Sequence, residues 1–219
     1  MRSLLLCALL SLAAPLTARA ESAVDCHCFT DRTYDPARPA SADAYILATT
    51  RSSLLSASFG VVKRALVQAV MTGADPDDLF VAHWAGARLD RRATDLLDAR
   101  KAAGSWKAAL DGAAPDRLGK PFSERLAADA PSAALAAIAI DDVLATRAGT
   151  PPDALRALRG LGASNGETIV AAVLGPVLKK EPAKLLAPVR ARKTTWGALL
   201  DGAGIAPAGL DAVVRARVR

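Results

Sequence analysis

The chain has 219 residues and a formal charge of +6, with hydrophobic residues at 52% and aromatic residues at only 4%. That apolar fraction is ample for a packed core, and so mild a charge excess does not by itself imply nucleic-acid binding. Few aromatics beside abundant alanine and leucine disfavour sheets, which draw on β-branched and aromatic side chains, and predict an all-α fold.

Residues 1–20 read as a cleavable secretory signal peptide. Arg2 supplies the positive start, Leu4 to Leu16 an apolar stretch too short to span a bilayer, and Ala18-Arg19-Ala20 the small residues of a cleavage site. A lipoprotein reading fails because Cys7 follows three leucines inside the apolar stretch. Cleavage leaves about 199 residues, one domain or two small ones, and removes Arg2 and Arg19. The expected location is the periplasm or the exterior. Past the signal, the longest apolar run, Ala133 to Ile140, stops at Asp141-Asp142, so the mature chain is expected to be soluble and not an integral membrane protein.

Residues 21–42 form a lead-in carrying Cys26-His27-Cys28 and the turn-forming Asp35-Pro36-Ala37-Arg38-Pro39. In an oxidising compartment Cys26 and Cys28 are expected to form a disulfide, with each other in a strained, easily reduced ring or between chains. Two thiols and an imidazole also suit copper or zinc, but a closed zinc site wants four ligands and His83 is the only other histidine. No cofactor is therefore predicted. Thiol titration and metal analysis of the mature protein test this alternative: an inert, oxidised pair without metal sinks it.

From Asp43 a helical pattern runs through Leu47, Thr50, Leu54, Ser58, Val62, Leu66 and Val70, with Gly60 as a possible kink. The rest of the chain, a helical domain over 43–219, is punctuated by Gly-x-x-Pro-x-x-Leu at Gly73-Pro76-Leu79, Gly112-Pro115-Leu118, Gly149-Pro152-Leu155 and Gly204-Pro207-Leu210. In each, glycine ends one helix in the left-handed conformation, proline opens the next, and leucine turns to the core. Asp75 and Thr150 are expected N-caps, and Ser164 with Glu167 has capping-box spacing. Helices are predicted at 43–72, 76–88, 92–103, 105–111, 121–129, 131–148, 152–160, 165–180, 183–193, 195–201 and 207–217. Residues 73–112 also align with 162–202 with one inserted position. The pairs include Gly73 with Gly162, Asp78 with Glu167, Gly86 with Gly175, Arg91 with Lys180 and Trp106 with Trp196. This internal repeat predicts an array of short stacked helical hairpins, with Ser105 and Thr195 capping short helices that the tryptophans anchor.

No catalytic constellation is visible. His83 reads as a packed histidine, Asp77-Asp78 as helix-dipole partners, and Asp141-Asp142 as a solvated pair diverging by about 100 degrees around a helix. Export argues against DNA binding. Trp106, Trp196, Arg190, Arg192 and Lys193, with the C-terminal arginines, are the candidate binding surface for a protein or an anionic envelope component. Cys-His-Cys-Phe at 26–29 followed by Ala48-Thr49-Thr50, together with the Ser105-Trp106 and Thr195-Trp196 corners, resembles exported helical proteins of Gram-negative bacteria that carry no assigned function. The resemblance implies an exported helical fold and supplies no site residue. The expected function is a binding or scaffolding module; the alternative is redox or metal handling through Cys26, His27 and Cys28.

Overall fold

The computed structural model describes Phe29 and residues 31–218, and among these every regular element is helical. The elements are α1 (Asp43–Phe59), α2 (Lys63–Met71), α3 (Pro76–Leu89), α4 (Ala93–Ala103), α5 (Trp106–Ala109), α6 (Pro115–Leu118) and α7 (Lys120–Ala127). They continue with α8 (Ser132–Thr146), α9 (Pro152–Gly160), α10 (Asn165–Val177), α11 (Pro182–Arg190), α12 (Trp196–Asp201), a 3-10 turn at Pro207–Gly209 and α13 (Leu210–Arg217).

All four Gly-x-x-Pro corners have the expected geometry. Gly73, Gly112, Gly149 and Gly204 lie at φ of 100°, 72°, 66° and 67°. Pro76, Pro115 and Pro152 open α3, α6 and α9, and Pro207 opens the 3-10 turn. The four leucines that follow are buried. Proline costs nothing at a first turn because its missing N–H would have had no helical partner there. Asp75 caps α3 by accepting from the amides of Asp77 and Asp78, and Ser164 with Glu167 forms the capping box of α10. Thr150 is buried and does not cap α9, whose N-cap is Pro151.

The expected helix over 43–72 is two helices. Gly60 takes a left-handed φ of 68° and ends α1, and Val62, predicted on the buried face, is 70% exposed. α1 has no single apolar stripe because it is enclosed by α2, α3, α10, α12 and α13. Two of its buried hydroxyls are satisfied internally: Thr50 donates to the carbonyl of Ile46 at 2.6 Å, and Ser53 donates to Asp211 at 2.8 Å. Small side chains let neighbours come close, and a methyl added at Gly166 would touch Leu47 at 3.5 Å.

The hairpins do not form an open row. α3 packs on α8 and α4, α10 packs on α1, α8 and α11, and α13 returns from the end of the chain to lie against α1. Two apolar clusters fill the interior. Phe80, Trp84, Phe122, Leu135 and Ile140 belong to the first, and Ile46, Leu158, Leu174, Leu185 and Trp196 to the second.

The two segments that align in sequence share element order and corner geometry. α3–α4–α5 and α10–α11–α12 each end in a short helix opened by tryptophan, with Ser105 or Thr195 accepting from the third amide beyond. At the first turn of each, Gly86 and Gly175 accept the amides of Arg91 and Lys180 at 3.0 and 2.9 Å. A methyl on either glycine would meet the carbonyl of that same residue, at 2.7 and 3.0 Å respectively. Asp90 and Lys179 sit at matching positive φ of 57° and 51°.

Candidate functional site

Most of the acidic groups expected on solvated surface or at helix starts join the elements together. Asp77 pairs with Arg51 at 3.4 Å and accepts from Asn165 at 2.9 Å. Asp78 accepts from the indole of Trp106 at 2.6 Å and from Ser132 at 2.5 Å. Asp141 holds Arg159 at 2.7 Å, and Asp142 accepts from Trp84 and Arg88 at 2.8 and 2.7 Å. The expected divergence of Asp141 and Asp142 is present, but each carboxylate is half-buried and engaged. These charges are committed to holding helices in register, and none is free for acid–base work.

The proposed binding surface is distributed differently from the sequence expectation. Trp106 and Trp196 are each 2% exposed and serve as core anchors, so neither presents a face to a partner. Arg190 is engaged by Glu167 at 2.8 Å and by the carbonyls of Leu161 and Gly162. Arg215 pairs with Asp211, and Arg217 donates to the carbonyl of Ala148. Arg192 and Lys193 are exposed at the α11–α12 corner. Cys26, His27 and Cys28 lie outside the described residues. Their neighbour Phe29 makes an edge contact with Tyr45 near the start of α1, with centroids 6.4 Å apart. Among the described residues no cluster of three or more His, Cys, Asp or Glu side chains is arranged to hold a metal ion. No helix among them is long and apolar enough to cross a membrane.

The histidine expected to be packed proves to line a cleft. A cavity of about 530 Å³ opens between the C-terminal ends of α1, α3 and α8, lined by Ser58, Phe59, His83, Arg91, Arg92 and Arg147 among others. Phe59 forms an aromatic plate in it. The His83 ring stacks on Phe59 with centroids 6.3 Å apart and planes 26° apart, and the Arg147 guanidinium lies 5.6 Å from the Phe59 centroid. Burial pushes the His83 imidazole below its ordinary pKa, so at neutral pH it is uncharged and can donate one N–H.

The cations in this cleft differ in their engagement. Arg92 pairs with Asp95 at 2.8 Å, whereas Arg91 and Arg147 have no carboxylate partner among the described residues. Asp90 is the carboxylate at the cleft wall, and it is exposed in the left-handed conformation. The hydroxyl of Ser58 is buried and makes no hydrogen bond among the described residues. Chemically the cleft offers guanidinium forks, an imidazole donor and an aromatic floor, and it lacks a paired nucleophile and base.

Fold and cleft define a class: an all-α protein with a basic, aromatic-floored cleft where three helices end. No protein-family model, curated protein or solved structure matches the chain.

Proposed function

We propose that this chain is an exported binding module of the cell envelope whose ligand carries an oxyanion, a phosphate or carboxylate, received in the cleft between α1, α3 and α8. The observation that carries the reading is the convergence of Arg91 and Arg147, without carboxylate partners among the described residues, on one cavity with His83. Elsewhere Arg88, Arg100, Arg159, Arg190 and Arg215 each have an acidic partner, whereas Arg64, Arg117, Arg125 and Arg192 have none among the described residues and do not line this cleft. Like charges held near one another raise the energy of the free protein, and an arriving anion relieves that repulsion. Guanidinium groups match the paired oxygens of phosphate and carboxylate. The signal features of residues 1–20 support export, into a compartment bordered by anionic lipids and polymers.

Isothermal titration of the mature protein with inorganic pyrophosphate tests the reading. Binding should weaken by about tenfold for Arg91→Ala and again for Arg147→Ala, the cost of one charge-assisted hydrogen bond each. Undiminished binding by the folded double variant overturns it.

A further inference from the structure

The α10–α11 corner builds a second cleft from the same positions as the first. Its cavity of about 270 Å³ is lined by Ala172, Gly175, Pro176, Lys179, Lys180 and Pro182 among others. These stand at one constant offset from His83, Gly86, Ala87, Asp90, Arg91 and Ala93, which line the first cleft.

Comparing the two copies separates what the corner needs from what it carries. The first-turn ion pair Arg92–Asp95 has its counterpart in Glu181–Lys184 at 3.0 Å, with the charges exchanged, so these residues are internally neutralised in both. Ala172 occupies the position of His83, so this corner packs without an imidazole. Both copies retain a cation without a carboxylate partner among the described residues, Arg91 in one and Lys180 in the other, and the second copy adds Lys179.

A third cavity, of about 380 Å³, lies between them and is lined by Arg147, Ala148, Gly149 and Arg217 among others. It shares Arg147 with the first cleft and Gly149 with the second. The three concavities therefore follow one another across the end of the molecule where α1, α3, α8, α10 and α13 finish. Helix C-termini carry partial negative charge, which basic residues offset. Arg217 does so directly through the carbonyl of Ala148, while the side chains of Arg91, Arg147, Lys179 and Lys180 donate to no carbonyl among the described residues.

We infer that these cavities form one groove for a linear polyanion, an acidic polymer whose successive oxyanion groups meet Arg91 and Arg147 at one end and Lys179 and Lys180 at the other. The inference rests on the oxyanion reading of the first cleft. Linking two modest subsites through one ligand makes the second contact intramolecular, so affinity rises with ligand length.

The test compares pyrophosphate with long-chain polyphosphate, affinities expressed per phosphate, on the mature protein. Long chains should bind at least about tenfold more tightly. The folded variant Lys179→Gln/Lys180→Gln should lose that advantage while keeping its pyrophosphate affinity. Arg192→Gln/Lys193→Gln, which removes equal charge outside the groove, should keep both. No gain with length, or a gain untouched by the Lys179/Lys180 change, or one equally reduced by the Arg192/Lys193 change, overturns the groove. Absence of pyrophosphate binding overturns the oxyanion reading beneath it.

Discussion

Gly86 and Gly160 are both helical glycines, and their surroundings predict opposite responses to alanine. A methyl at Gly86 would lie 2.7 Å from the backbone carbonyl of Arg91, whereas one at Gly160 would meet nothing within 4 Å. Gly86→Ala should destabilise the protein by about 1–3 kcal/mol through forced backbone movement. Gly160→Ala should stabilise it by about 0.4–1 kcal/mol by restricting the unfolded chain. Urea unfolding of the two variants checks both signs. His83 couples the cleft to pH. Its pKa is lowered by burial, so protonation below its ordinary value disfavours the free fold, while a bound anion favours it. The charged groups lining its cleft are Arg91 and Arg92 from the α3–α4 corner, Arg147 just past the end of α8 and the opposing Asp90; α1 contributes Ser58 and Phe59. Binding of sulfate, which does not titrate in this range, should strengthen as the pH falls from neutral. In His83→Ala, which copies the side chain of Ala172, that dependence should flatten. A profile unchanged by the substitution would remove the imidazole from the site.

Among elements, the caps and the polar clamps on α1 set the measurable costs. Asp75 satisfies two amides at the start of α3, and Asp75→Ala should cost about 1 kcal/mol in chemical unfolding. Asp211 joins α13 to α1 and α2. Burial alone would raise its pKa, but hydrogen bonds from Arg215, Ser53 and Lys63 prevail and bring it down to about 2. The sign follows: a carboxylate lowered in the fold stabilises it above the ordinary value of 3.8, and that contribution is lost as pH falls toward 2. Acid unfolding of Asp211→Asn should therefore be less steep over that window, from a lower starting stability at neutral pH. The corners were legible in the sequence because glycine, proline and leucine each report a local backbone requirement. The end of α1 was not, because its apolar and small residues continue past Gly60 in helical spacing, and only tertiary enclosure decides which faces are buried.

At the scale of the molecule, the all-α class followed from composition, and the matching segments 73–112 and 162–202 occupy equivalent helices. The closure of the chain, with α13 against α1, was not legible because short-range periodicity carries no information on which distant faces meet. The same limit hid the site. Phe59 and His83 come from two helices and Arg91 and Arg147 from two corners, and no spacing in the sequence joins them. Trp106 and Trp196 were read correctly as anchors, yet their 2% exposure removes them from any binding surface. The ligand-binding face proposed for this protein is the end of the molecule where the long helices finish. Its most direct test is amide chemical-shift mapping of the isotope-labelled mature protein during titration with pyrophosphate. The first and largest shifts are expected at Phe59, at Asp90 to Ala93 and at Arg147. Shifts confined to Arg192 and Lys193, or spread evenly over the surface lysines and arginines, would contradict it.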